Sequence, residues 1–292
     1  MALSYDRLMN WRFKDVVQRY TWKDSILYAL GLGFGSKPTD PDELRFVYED
    51  SLETFPTMPV VLGHPGPWMA DPKTGIDMVK VLHGEQHLTI HQPLPAEGTI
   101  IGRNKVSEII DKGADKGALI RIERQLSDES TGDLYSTQTA VIFARAYGGF
   151  GGPVTSSPKP HQLPDRPPDT TVDIPTNTQV ALLYRLSGDY NPLHADPRIA
   201  EKAGFKAPIL HGLASFGVAA RAVIEGFGVK DISQLKNFGL RFSAPVYPGE
   251  TISTDLWRDG QEVSFRSRVT ARDAIVLNNG RAVIDNDNAP GN

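Results

Sequence analysis

The sequence predicts an α+β chain of two similar halves, each an antiparallel sheet wrapped around a central helix. Three observations carry this. A Gly- and Pro-rich stretch, "YGGFGGPVTSSPKPHQLPDRPPDT" (147–170), divides the 292 residues nearly in half. On either side of it, "LTIHQPLPAEGTI" (88–100) and "LRFSAPVYPGETI" (240–252) align without gaps at an offset of 152 residues. Leu88 matches Leu240, Pro93 matches Pro245, Thr99 matches Thr251 and Ile100 matches Ile252. Lastly, strand-like runs follow each copy and a helical pattern precedes it. The fold expected is a tandem, or double, hot dog: a first half over 1–150, a linker over 151–170 and a second half over 171–292.

In the first half, "WKDSILYALGLGFG" (22–35) supplies the central helix, with Asp24 near its start and glycines at its end. The matched segment at 88–100 reads as a strand, a Pro-led turn and the start of another strand; "ALIRIERQL" and "STQTAVIFAR" follow as strands. The linker is extended where it is Pro-rich and flexible where it is Gly-rich. In the second half, "PTNTQVALLYRLSG" holds Thr176 and Gln179 at capping-box spacing, with Ser187-Gly188 as a stop. Asp196-Pro197 reads as an N-cap and first position of a short helix, "PRIAEKAG". In "ILHGLASFGVAARAVIEGF" (209–227), Leu213, Phe216, Gly217, Ala220, Ile224 and Phe227 recur at helical spacing, with small residues filling much of the rest. This is the second central helix. "ISTDLW", "EVSFRSRVT" and "RAVID" complete a meandering sheet.

Composition narrows the function. The 31 basic and 35 acidic residues give a net charge of -4, with no dense Lys/Arg cluster to track a phosphate backbone, so nucleic acid is not an expected partner. Without cysteine there is no disulfide, thiolate nucleophile or Cys-ligated metal. No apolar run approaches the roughly 20 residues of a membrane helix. The amino terminus is too charged for a signal peptide, and "NDNAPGN" at the end is no peroxisomal signal, which favours a bacterial cytoplasmic location.

Between the two short helices of the second half lies "GDYNPLHADP" (188–197), a loop that brings a carboxylate, an amide and an imidazole together at Asp189, Asn191 and His194. A calcium loop would need an oxygen ligand and a glycine where Leu193 and His194 stand. A zinc or iron site could use Asp189, His194 and His211, but the spacing fits no facial triad. Asp189 and Asn191 could also simply close Asx-type turns while His194 packs. The next segment favours chemistry. Pro208 and Gly212 bracket the start of the buried helix, whose N–H groups near His211-Gly212 point at whatever lies there. Gly212 leaves room for close approach. A carboxylate and an imidazole before such an oxyanion donor suit proton transfer beside a carbonyl.

The run "YRLSGDYNPLHADPRIAEKAGFKAPILHGLASFG", continued by "RFSAPVYPGET", resembles the hydratase 2 motif of the MaoC-like (R)-specific enoyl-CoA hydratases. "YALGLG", "FVYED", "VLHGEQ", "PLP" and "DKG" resemble the amino-terminal half of the hydratase 2 unit in peroxisomal multifunctional enzyme type 2. The resemblance implies reversible syn hydration of a trans-2-enoyl-CoA to a (3R)-3-hydroxyacyl-CoA, with an acyl-CoA thioester as partner and no metal or redox cofactor. It places the catalytic pair on Asp189 and His194, with Asn191 orienting the water and the Gly212 N–H holding the enolate oxygen. It gives substrate contacts to His83, Gly84, Lys112, Tyr190, Pro192, Leu193, His211 and Phe242. Glu49, in "FVYED", is expected to form an architectural ion pair. Only the second half carries the loop, so the first is expected to cradle the acyl tail and CoA, with a groove widened where its helix breaks at "GLGFG". The alternatives are a hot-dog thioesterase and a non-catalytic acyl-CoA-binding protein. A monomer and a homodimer both fit, since a double hot dog pairs its sheets internally.

Overall fold

The structure, a computed structural model, describes residues 3–152 and 158–285. Part of the linker, 153–157, and the carboxy-terminal 286–292 lie outside the described residues. The first half contains α1 (Tyr5–Met9), β1 (Val16–Tyr20), α2 (Trp22–Leu30), α3 (Pro41–Leu44), β2 (Val81–Ile90), β3 (Gly98–Asp111), β4 (Ala118–Asp128) and β5 (Leu134–Ala144). The second contains β6 (Thr170–Pro175), α4 (Val180–Tyr184), α5 (Pro197–Lys202), α6 (Gly212–Gly226), β7 (Leu235–Phe242), β8 (Thr251–Asp259), β9 (Glu262–Val269) and β10 (Ala274–Ile284). Short 3-10 turns fill much of 58–80.

All ten strands join in one sheet of order β1-β3-β4-β5-β2-β7-β10-β9-β8-β6, which reads the same from either end once each strand is exchanged for its counterpart. The halves meet where β2 pairs antiparallel with β7. There the 152-residue offset maps His87 onto Gly239, its own ladder partner, and exchanges the pairs Gln86–Leu240 and Leu88–Phe238. A local twofold therefore runs through His87–Gly239. The fold is a double hot dog.

Two expectations need correcting. The Pro-led segments 91–97 and 243–250 are not hairpin turns: β2 and β3 are separated by β4 and β5, as β7 and β8 are by β10 and β9. Two prolines stiffen each crossing and remove N–H groups a tight hairpin would use. Nor does Thr176 form a capping box. Its hydroxyl donates to Glu250 O at 2.7 Å and accepts from Gly249 N–H at 3.0 Å, while α4 starts later with Gln179 as N-cap.

The central helices are unequal. α6 runs for 15 residues and is buried from Ala214 through Ile224. α2 runs for only 9, opened by a Thr21/Asp24 capping box and ended by Gly31 and Gly33. Phe55, Met58, Val60 and Leu62, from the segment that follows, join the main core together with Tyr28 and Ala29 of α2.

Polar side chains hold this irregular segment on the sheet. Arg124 donates to Val60 O at 3.2 Å and Leu62 O at 2.9 Å, Gln138 to Pro59 O at 2.6 Å, and Asn104 to Gly63 O at 3.1 Å. These bonds satisfy carbonyls that a longer helix would have satisfied internally.

Candidate active site

The loop between α4 and α5 is built by local hydrogen bonds. Gly188, at φ +119, turns the chain out of the preceding helix in a conformation favouring glycine. The Asp189 carboxylate accepts Asn191 N–H at 3.1 Å, and the Asn191 side-chain oxygen accepts Leu193 N–H at 3.0 Å. Both residues do close Asx turns. This leaves one Asp189 oxygen and the Asn191 amide nitrogen available. Asp196 caps α5 through Arg198 N–H at 2.9 Å, with Pro197 at the first position.

His194 is 8% exposed, and its Nδ1 lies 2.8 Å from Ile209 O. A carbonyl only accepts, so Nδ1 carries the proton and Nε2 keeps its lone pair. Burial lowers the tendency of His194 to protonate, offset in part by the Ile209 bond and the charge of Asp189. His211 stacks on His194 with centroids 3.8 Å apart and planes 28° apart. Its Nε2 donates to Asp189 O at 3.1 Å, and its Nδ1 is buried without a partner. One ligand atom each from Asp189, His194 and His211 lie within 4.8 Å of one another.

Facing this group is the amino end of α6. The Gly212 and Leu213 N–H groups have no acceptor among the described residues, as expected of the first helical turn. A side chain on Gly212 would put Cβ 3.2 Å from the Phe242 ring. The Phe242 ring is itself 4.9 Å from His83, on the first half's β2. The buried His83 Nε2 has no partner, and burial pushes His83 down to about 4. Gly84 occupies a bulge between His83 and Glu85.

The structure thus joins Asp189, Asn191, His194, His211 and Gly212, and links them to Phe242 and His83 through ring contacts. Tyr190 and Pro192 are exposed at the loop surface and Leu193 is half-buried. Lys112 is exposed just after β3, and nothing ties it directly to this group. Glu49 is exposed and makes no ion pair among the described residues, which corrects the expectation for it. The buried acid of that region is Glu43, 2.7 Å from Arg221 of α6. A side chain pointing to solvent is not held by a partner, whereas Glu43 lies on the inward face of α3.

Sequence reasoning missed His64 and Arg124. His64 is exposed, with Arg124, Asp189 and His83 near enough to act on its charge. It follows Val61, whose carbonyl is 3.7 Å from where a Gly188 Cβ would be. The segment "PVVLGHPG" has no periodicity that would mark it as a wall of the site.

Comparison with known proteins supplies the family. Residues 159–279 match the MaoC like domain and residues 18–146 the MFE-2 hydratase 2 N-terminal domain. A probable enoyl-CoA hydratase 2 from Dictyostelium discoideum is 38% identical over 296 residues, covering 98% of each chain. The chain belongs to the MaoC-like hydratase 2 family. Mouse peroxisomal multifunctional enzyme type 2 is 38% identical over 268 residues, spanning 89% of this chain and 36% of that longer protein. The crystal structure of a MaoC-like dehydratase from Phytophthora capsici superimposes with a TM-score of 0.85 at 35% identity, covering 98% of this chain and all of that one. In this MaoC-like chain, the domain match in the second half takes in the Asp189–His194 loop and the start of α6.

Proposed function

We propose that the chain is a hydro-lyase that adds water syn across trans-2-enoyl-CoA thioesters, giving (3R)-3-hydroxyacyl-CoA, with Asp189 and His194 as the proton-transferring dyad. The observation that carries this reading is the tautomer of His194. With Nδ1–H committed to Ile209 O, Nε2 is a lone-pair acceptor, and a ring nitrogen of His194 lies within 4.8 Å of an Asp189 carboxylate oxygen. Burial keeps that imidazole neutral at the pH where a base is needed.

Water bound at the dyad gives a proton to His194 Nε2 as its oxygen bonds to C3. The electron pair of the C2–C3 double bond moves toward the thioester carbonyl, and the Gly212 N–H stabilises the charge there. The dyad then returns one proton to C2 on the same face, leaving it unchanged overall. The Asn191 amide nitrogen, free of the Asx turn, orients the water. His83 from the first half and Phe242 from the second wall the cleft, and Lys112 is suited to a CoA phosphate.

The names of the relatives support the enoyl-CoA class. Against hydrolysis, α6 has no carboxylate facing the loop: Glu225 is near its far end and pairs with Arg221 at 2.6 Å. The reaction as proposed uses no metal. One nitrogen of each histidine is engaged by a backbone carbonyl, His194 Nδ1 by Ile209 O and His211 Nε2 by Asp189 O.

Crotonyl-CoA tests the proposal. Loss of enoyl absorbance without thiol release, and an R product on chiral analysis, are expected; thiol release would mean hydrolysis instead. Asp189→Asn and His194→Gln should each abolish hydration while retaining the wild-type fold by circular dichroism. Wild-type turnover in either would remove the dyad.

A further inference from the structure

Behind His194, four rings stand in file from one half of the molecule to the other. His211 stacks on His194, and Tyr184 of α4 lies 5.1 Å from His211. Tyr28 of α2, in the first half, lies 5.8 Å from Tyr184, and its hydroxyl donates to Thr57 Oγ1 at 2.9 Å. Tyr28, Tyr184 and Thr57 are fully buried, and His211 is 1% exposed. A ring so enclosed is poorly placed for the substrate contact expected of it. Instead it touches both members of the dyad, stacking on the ring of His194 and donating Nε2–H to the backbone carbonyl of Asp189.

We propose that His211 is a positioning residue, held by the Tyr184–Tyr28 column, that fixes the His194 ring and the Asp189 backbone relative to each other. The inference rests on the hydratase reading above. Stacking at 3.8 Å resists rotation of the His194 ring out of line with the water, while the 3.1 Å bond restrains the chain that carries the carboxylate. The remaining nitrogen, Nδ1, is buried without a partner, so His211 stays neutral beside a His194 that must accept a proton. A misplacement of about 1 Å in such a pair can cost about 100-fold in rate. The column also gives the half without a catalytic loop a part in catalysis: Tyr28 and Thr57 hold the far end of the file.

Four variants test this by steady-state kinetics on crotonyl-CoA, with folded protein quantified by near-ultraviolet circular dichroism. His211→Phe keeps a ring and loses the bond to Asp189; His211→Gln can keep an N–H donor and loses the ring. Tyr184→Leu breaks the column. Tyr184→Phe keeps the ring in the column and removes only the hydroxyl, which faces that of Tyr28. We expect His211→Phe and Tyr184→Leu to lower kcat by roughly 10- to 100-fold with KM unchanged. His211→Gln should recover part of the His211→Phe loss, and Tyr184→Phe should lose far less kcat than Tyr184→Leu.

Wild-type kcat in folded His211→Phe, or a rise in KM in place of the fall in kcat, would overturn the proposal. So would failure of both His211 variants to fold, since packing alone would then explain the ring. If Tyr184→Leu does not fold, the His211 pair decides. Activity in Asp189→Asn would remove the hydratase reading itself. An inactive Asp189→Asn beside a fully active His211→Phe would remove only the positioning role.

Discussion

Glu43→Gln takes one of two counter-ions from Arg221, a buried guanidinium that ties the central helix of the second half to α3 of the first. The Arg221 and Glu43 side chains are 4% and 3% exposed and 2.7 Å apart. Breaking a buried pair from one side costs about 3–5 kcal/mol, because it strands a charge. In Glu43→Gln the guanidinium keeps Glu225 at 2.6 Å, so the loss should lie at the low end, about 3 kcal/mol. Arg221→Met instead strands Glu43 with only the Ser36 hydroxyl at 3.3 Å and the Lys37 N–H at 3.0 Å, so its loss should approach about 5 kcal/mol. Glu43→Leu combined with Arg221→Met removes both buried charges, while Glu225, one-third exposed, returns to water. That double variant should regain most of the lost stability. Urea unfolding reads the result: with a slope of about 3 kcal/mol per molar, Glu43→Gln lowers the midpoint by about 1 M. Losses that simply add in the double variant would refute the account, since a charge-stranding cost cannot be incurred twice.

Stability should also fall with acid through the histidines. His83 and His211 are pushed to about 4 by burial, and His194 is lowered for the same reason. Their unfolded forms titrate near 6.5, so below that pH the unfolded chain binds more protons. The stability is complete above about 6.5 and is lost as pH falls toward about 4; a urea midpoint flat across that window would contradict it. Gly212→Ala should lower kcat without lowering the melting temperature, because a Cβ 3.2 Å from Phe242 intrudes on the site while alanine favours helix; kinetics beside thermal melts check this. Lys112→Ala should raise KM for CoA thioesters at low salt and leave kcat unchanged, with the difference shrinking as salt screens the charge; a KM difference that persists at high salt would show the contact is not ionic.

Periodicity and local chemistry made much of this molecule legible. Alternation marked β4, β5, β8 and β9; helical spacing marked α6; and Asp196-Pro197 marked α5, since caps and faces are written within a few neighbouring residues. The edge strands β1 and β6 were missed because each is short and pairs along one side only. Within the site, "GDYNPLH" and "LHG" announced themselves as unusual residue types in sequence. Tyr28, Tyr184 and Arg124 did not: they read as ordinary parts of a helix or strand, and their roles depend on which halves meet. Glu43 and Glu49 show the same limit, for nothing local to "DPDELRFVYED" says which carboxylate turns toward an arginine 178 residues away.

The asymmetry between the halves can be traced along one row of the sheet. In the first half, Asn104 pairs with Arg124 and Arg124 with Gln138. Carrying Asn104 forward by 152 residues gives Leu256, which pairs with Phe265, which pairs with Gly280. Leu256 and Phe265 are fully buried in the core that contains α6, so that row asks for an apolar helix across it. The polar row of the first half asks for carbonyls, and receives them from Pro59, Val60, Leu62 and Gly63. Burial lowers Arg124 to about 10, which is still far above neutral pH, so the cation persists there with only neutral acceptors bonded to it. A full-length helix over this row would satisfy its own carbonyls and leave Arg124 bare. The shortened α2 and the irregular segment after it are therefore the conformation that the Asn104–Arg124–Gln138 row selects, and that segment brings Val61 close to Gly188, at the start of the Asp189–His194 loop.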